Sequence, residues 1–445
     1  MHSPLAQALN GQMILAPLTR GGNLPFRRLC AEHGCEVAVG EMVYARHLLS
    51  GSPLEKTRLR RAPNEALFGV QIATNEVSEG RAAVKLAAEA GANWVDLNCG
   101  CPIHEATRRN LGSALLRYPD KLSALVRGVA QDSPLPLSVK VRLAAEGAPV
   151  NVREVVCKLR EAGAAAVSIH GRTAMDRYSR AADWELIGQV VADGKSAGSA
   201  VPIIGNGDIL THYEATQRMD AHGVDGVMVG RGALMKPWLF SEFSNQRTWE
   251  PSAAERVEVY RQLVSYMKEH FGDDALGRKK AFYFLPWHLD FLSRYRPLPS
   301  TRFAEAALGT PLMQTRMQPL GEHDPPLDRL LGHTDPAVHE MIANCLWEAD
   351  SDGDACRSLG ALAESAQLAA IACANGGGDR QRAEDVELSN IPRGAAATPS
   401  GAGKHKYKRR PPKPQRSEEE IAELRAVRAA KRLATGAPPH VSGKR

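Results

Sequence analysis

Between residue 12 and about residue 240, short apolar runs alternate with segments of helical spacing eight times over. The runs read as strands at 13–17, 36–40, 67–72, 94–98, 137–142, 165–170, 202–206 and 226–230, where apolar residues are continuous or alternate and Gly, Pro or Asn follows. Amphipathic stretches lie between them at 24–33, 76–90, 113–131, 152–162, 184–192 and 213–222, and a less regular segment spans 44–63. Eight strands with crossovers match the unit count of a TIM barrel. A doubly wound sheet has fewer strands and a Gly-rich fingerprint after the first, and no GxGxxG follows residue 17. The expected fold class is α/β, a closed TIM (β/α)8 barrel.

The strand ends of such a barrel meet the substrate at its carboxyl-terminal face. In order they carry Pro17, Glu41, Gln71, Asn98, Lys140 with Arg142, His170, Asn206-Gly207-Asp208, and Gly230-Arg231. For any single one, a solvated turn residue is the simpler reading; eight such endings in register, all but Pro17 polar or glycine, point to a site. Gly205-Asn206-Gly207-Asp208 and Gly230-Arg231-Gly232 follow strands seven and eight, where backbone N–H groups with little side-chain bulk form the usual phosphate site. A phosphorylated cofactor is implied. Just past the fourth strand, Val95-Asp96-Leu97-Asn98-Cys99-Gly100-Cys101-Pro102 places thiols on a loop able to approach a ligand. A buried structural cysteine is the commoner fate of such a residue, and position alone does not decide it.

Beyond the barrel, helical patterns occupy 253–271, 279–295, 327–331, 337–346 and 359–373, with Pro286 expected to kink or divide the second. These suggest a barrel at 1–245, a helical domain at 246–373, a Gly/Ala/Pro-rich linker at 374–403 and a disordered basic tail at 404–445. From residue 401 onward thirteen Lys/Arg face four Glu, a surplus of +9; the whole chain carries +6, so the first 400 residues sum to −3. Lys404 to Lys413 holds no acid, and Ser417-Glu418-Glu419-Glu420 resembles a capped helix start. Such a tail binds nucleic acid, targets a nucleus or simply solubilises, and the sequence leaves these open. There is no leader pattern at Met1 and no apolar run of membrane-spanning length, so no membrane partner is expected. Eight scattered Cys suggest reduced thiols, and no Cys/His set has metal-site spacing. A monomer in the cytoplasm, the nucleus or both is expected.

The chain resembles the tRNA-dihydrouridine synthases, which are FMN enzymes. Among them it is most similar to the eukaryotic type that modifies position 47 in the tRNA variable loop. The stretches that carry this are Ala16-Pro17-Leu18-Thr19, Gly22-Asn23-Leu24-Pro25-Phe26-Arg27-Arg28, Gly40-Glu41-Met42 and Phe68-Gly69-Val70-Gln71. Then follow Asp96-Leu97-Asn98, Gly100-Cys101-Pro102-Ile103, Val139-Lys140-Val141-Arg142, His170-Gly171-Arg172-Thr173 and Ala182-Asp183-Trp184. Gly205-Asn206-Gly207-Asp208-Ile209 and Gly230-Arg231-Gly232-Ala233-Leu234, running into Lys236-Pro237-Trp238-Leu239-Phe240, complete the set. The resemblance implies that Cys101 is the proton donor and that Pro17, Leu18 and Thr19 line the flavin. It implies that Gln71, Lys140 and His170 bond the ring system, and that Asn206, Gly207, Asp208, Gly230 and Arg231 hold the ribityl chain and phosphate. Asn98 and Arg142 fall near the uridine and Arg172 near the RNA. NADPH is the implied electron source and tRNA the substrate, with messenger RNA left open. A free thiol, pKa about 8.5, is mostly protonated at neutral pH and suits the acid role.

The chain departs from the family pattern in three places. Cys99 stands where an apolar residue is usual, and is read as structural. His104 follows Cys101-Pro102-Ile103 where the position-47 type usually has Asp. The zinc-finger extension usual in that type does not precede residue 13. Two other readings remain: an FMN barrel that reduces free pyrimidines, and a relative that binds RNA without turnover.

Overall fold

A computed structural model describes residues 4–315, 320–366, 368 and 371. Nine strands, β1 Met13–Leu15, β2 Val37–Val39, β3 Val43–Tyr44, β4 Leu67–Ala73, β5 Trp94–Cys99, β6 Leu137–Arg142, β7 Ala166–His170, β8 Ile203–Asn206 and β9 Gly226–Val229, form one parallel sheet. Eight of them close into a barrel: β1 pairs with β2 and β9, and β2 pairs with β4 through Val37 opposite Leu67. The expected TIM barrel is present. The extra strand β3 lies in the irregular 44–63 region and its approach, pairing only with the end of β4 (Val43 opposite Ile72).

Alternation places one set of side chains inside the barrel, where Ile14, Val37, Val39, Trp94, Ala166, Ile204 and Met228 pack together. Leu5 and Leu9 of the helix Pro4–Leu9 belong to the same cluster. The other set faces the surrounding helices. Strand register then aligns the polar ends: Gln71 opposite Asp96, Asn98 opposite Lys140, Arg142 opposite His170 and His170 opposite Asn206. The single helix expected over 113–131 is two pieces, Gly112–Arg117 and Pro119–Ala130, because Pro119 lacks the N–H needed to continue the first and instead opens the second.

The helices after the barrel pack onto it as part of the same compact unit. Ala253–Phe271 lies against Leu24–Glu32, with Arg28 stacked 3.9 Å from the Tyr266 ring and paired with Glu269. The 279–295 pattern resolves into Ala275–Ala281 and Leu285–Leu292, with Pro286 in the first turn of the latter. Arg278, Lys279 and Lys280 therefore close one helix rather than open the next, and their charge complements its carbonyl end. The helix expected at 359–373 starts earlier, as Asp352–Ala363, opened by Ser351, whose hydroxyl accepts from the Asp354 N–H; residues 366, 368 and 371 are also helical. The linker at 374–403, the basic tail at 404–445 and the helix start at Ser417 lie outside the described residues. No helix among the described residues is long and apolar enough to cross a membrane.

Candidate active site

One cavity opens at the carboxyl ends of the strands, and every site residue expected from the sequence lines it except Arg172. Its reactive wall is a directional chain of hydrogen bonds across three strands. Asp96 on β5 is buried and accepts from Ser138 Oγ on β6 at 2.6 Å and from Gln71 Nε2 on β4 at 2.8 Å. With its nitrogen so committed, Gln71 accepts at Oε1 from Asn98 Nδ2 at 2.7 Å. Asn98 Oδ1 in turn receives the Cys101 N–H at 3.0 Å and the Gly100 N–H at 3.3 Å. The thiol-bearing loop is thus tied to three strands. Asn98 lines the cavity, but both ends of its amide are used within the protein, so its first task is to position Cys101.

The far side of that loop is fixed by Gly112, at φ 62°. A Cβ there would sit 2.4 Å from the Cys101 carbonyl, and the next residue's N–H, Ser113, donates to that carbonyl at 2.9 Å. Cys101 is half-buried and Cys99 fully buried. Burial, followed by the Asp96 charge, pushes the Cys99 thiol well up, so it stays a neutral core group.

Opposite, Lys140 Nζ donates to Asn206 Oδ1 at 3.0 Å, and Asn206 Nδ2 donates to the Met228 carbonyl at 2.7 Å. Enclosure by the barrel, then the neighbouring Arg142, lowers Lys140 to about 8. His170 is pushed well below its usual range by burial and by Arg142, Lys140, Arg172 and Arg231, so it is neutral at pH 7. Its Nε2 lies 3.3 Å from Arg172 Nη1. A guanidinium only donates, so Nε2 accepts and the ring proton sits on Nδ1. Arg142 Nη1 donates to the Thr173 carbonyl at 2.8 Å.

At the glycine-rich end, Asp208 is not a direct cradle group. Its carboxylate takes both oxygens' bonds from Arg172 Nη2 (2.8 and 2.7 Å), one from Arg231 Nη2 (2.9 Å) and the Ala182 N–H (2.8 Å). Arg172, expected near the RNA, is 0 % exposed and does not line the cavity: its charge is spent internally on Asp208 and on the Arg180 carbonyl at 2.7 Å. What Asp208 presents to the cavity is backbone, while its side chain aims Arg231, whose guanidinium also lies 3.8 Å from the Tyr178 ring centroid. Gly207, at φ 135°, accepts the Trp184 Nε1–H on its carbonyl at 3.0 Å, and a Cβ there would meet Ala182 at 2.5 Å.

Sequence reasoning missed the roof. Trp287 and Phe291 from Leu285–Leu292, and Met313 from Leu312–Gln314, line the cavity mouth. The Leu312 N–H donates to Glu214 Oε1 at 2.8 Å and Gln314 Nε2 to the Tyr178 carbonyl at 2.8 Å, fastening this segment over the barrel. The apolar face of 279–295 was legible; that Trp287 would turn toward the barrel was not, because Leu285–Leu292 packs on Arg231–Met235 only in three dimensions. Ser138, which anchors Asp96, gave no signal beyond its place in a strand.

Comparison with known proteins accords with this geometry. The family model for dihydrouridine synthase (Dus) matches residues 14–292, more than half of the 445. A tRNA-dihydrouridine(47) synthase [NAD(P)(+)] of Coprinopsis cinerea is 38% identical over 298 residues, 65% of this chain and 44% of that protein. A tRNA-dihydrouridine(47) synthase [NAD(P)(+)]-like protein of Homo sapiens is 39% identical over 291 residues, with shares of 65% and 44%. Among solved structures, histamine dehydrogenase from Rhizobium sp. 4-9 aligns with TM-score 0.42 and 14% identity, covering 57% of this chain and 49% of that one. The chain spans less than half the length of the curated relatives it matches. By the span of the family match, the chain belongs to the dihydrouridine synthase family.

Proposed function

We propose that this chain is a tRNA-dihydrouridine synthase that reduces the C5–C6 bond of a uridine in tRNA, at position 47 of the variable loop, using FMN and electrons from NADPH. The observation that carries this is one cavity joining a fixed thiol, Cys101, to a lysine cation, Lys140, and a glycine-walled anion cradle. The position follows the names of the relatives, which give the reductant only as NAD(P)(+).

The donor set suits FMN. Ala16, Pro17 and Leu18 offer an apolar wall for a flat ring, and Gln71 keeps one N–H and one lone pair beyond its bonds to Asp96 and Asn98. The Gly207 and Gly230 backbone with the Arg231 guanidinium would hold a phosphate, and Lys140 would hold the negative charge of a reduced ring. FMN, when bound, supplies the hydride that adds to uridine C6. Cys101 gives its Sγ proton to C5 from the other face, and solvent returns a proton to the thiolate after product leaves. Lys140 keeps a cation beside the ring, His170 offers Nδ1–H as a neutral donor, and Arg142 adds charge near the base. A uridine in folded tRNA must swing out to reach Cys101, which costs a few kcal/mol. The helices from residue 246 onward, and the basic residues of 404–445, would hold the RNA meanwhile.

The test is to incubate the purified chain with NADPH and unmodified tRNA transcript and map dihydrouridine by mass spectrometry. Product at the variable-loop uridine and none from free uridine is expected. Product in the D-loop would overturn the position, and reduction of free uridine would indicate a pyrimidine dehydrogenase.

A further inference from the structure

The loop after β1 meets the helix Leu285–Leu292 at the cavity rim through a stack that the chemistry above does not use. The Arg20 guanidinium lies 4.3 Å from the Tyr283 ring centroid and 5.6 Å from that of Trp287. Its Nη2 donates to the Tyr283 carbonyl at 2.5 Å, while its buried Nε has no acceptor among the described residues. The Arg20 backbone is held in the left-handed region, φ 67°, by its N–H on Glu41 Oε1 at 2.8 Å and by Asn23 Nδ2 on its carbonyl at 3.2 Å. A non-glycine residue stays there only where its surroundings over-determine it, and such positions gather at functional sites.

Read outward, the groups form a path. Trp287 lines the cavity, Arg20 follows, and Tyr283 is 60 % exposed on the surface. Lys279 and Lys280, both exposed, close the helix Ala275–Ala281 just before Tyr283. An aromatic face backed by a guanidinium and flanked by lysines is the arrangement that holds a single-stranded nucleic acid: bases stack on the ring and the cations neutralise phosphates.

We infer that Tyr283, Arg20 and Trp287 form a stacking platform for the nucleotide next to the uridine that enters the cavity. The inference rests on the function proposed above and adds where the flanking strand is held. Swinging one base out of a folded RNA strips its neighbour of a stacking partner, and the Tyr283 ring replaces it at the cavity rim. Lys279 and Lys280 meet the phosphates leading to that neighbour.

Filter binding of an unmodified tRNA transcript to the full chain tests this. Tyr283→Ala should weaken binding about tenfold, the loss expected for one base–aromatic stack. Tyr283→Phe and Tyr283→Trp should bind like the parent, because the ring and not the hydroxyl does the stacking. An Ala variant within twofold of the parent, or a Phe variant as weak as Ala, overturns the platform. A parent chain that binds the transcript without reducing it overturns the enzymatic reading instead, and the Tyr283 series still decides the platform.

Discussion

The two sides of the cavity are built by different physics. On the barrel wall, Ser138, Asp96, Gln71, Asn98 and the Cys101 backbone form an unbroken hydrogen-bond chain between strands. On the roof, Trp287, Phe291 and Met313 face the opening, with the Trp287 and Phe291 rings 4.7 Å apart and tilted. Hydrogen bonds have direction and a steep dependence on distance, so they hold reacting atoms to within tenths of an ångström. Apolar packing has no direction and tolerates a surface that must admit a large polymer. The wall should therefore respond to substitution abruptly, and the roof by degrees.

The largest expected effect is at the wall. Cys101→Ala should cut dihydrouridine formation by roughly 10²–10⁴-fold, the usual worth of a general acid, while flavin absorbance persists. Near-normal product on unmodified tRNA would break the assignment. Asp208→Ala leaves the Arg172 charge buried without its partner, at a cost of about 3–5 kcal/mol in urea unfolding. A loss under about 1 kcal/mol would mean that water reaches that pair and that the glycine-rich end is softer than the thiol end.

Lys140 offers a sharper comparison. With Lys140 lowered to about 8, the cation is present below that pH and disappears as pH rises through it. Turnover should decline on the alkaline side with that midpoint, and Lys140→Met should lower the rate about 100-fold and leave only the decline that belongs to the Cys101 acid. The sign for stability is opposite. Between about 8 and the ordinary 10.5 the unfolded chain holds the proton and the folded chain does not, so this group's burial cost is full at neutral pH and shrinks as pH climbs. Lys140→Met should therefore melt higher than the parent at pH 7; a lower melting temperature would show that the cation is favourably housed. The smallest effect belongs to the roof. Trp287→Ala should raise KM for tRNA about fivefold and keep flavin, since a cavity-lining aromatic supplies contact area without direction. A loss as large as that at Cys101 would erase the distinction between wall and roof.

The barrel was legible because eight apolar runs and their polar ends repeat with a period that few folds share. Because strand ends converge, Gln71, Asn98, Lys140, His170 and Asn206 could be placed at one rim before any coordinates. Pairings between distant side chains were not legible. Arg172 reads as a surface cation until Asp208, 36 residues later in the chain, is found against it. The two-residue strand β3 is too short to show a period, and Trp287 reaches the cavity through the packing of one helix on another.

Gly112 has a consequence for how this sequence can drift. It offers no charge, no nucleophile and no hydrophobic area, so a screen for functional chemistry would pass over it. Yet every L-residue but glycine would push against the Cys101 carbonyl. A randomised library at position 112 should return folded, flavin-coloured proteins whose thiol is displaced, and selection for activity should restore glycine. The evolutionary constraint on the reactive sulfur is thus recorded eleven residues away, in a hydrogen atom.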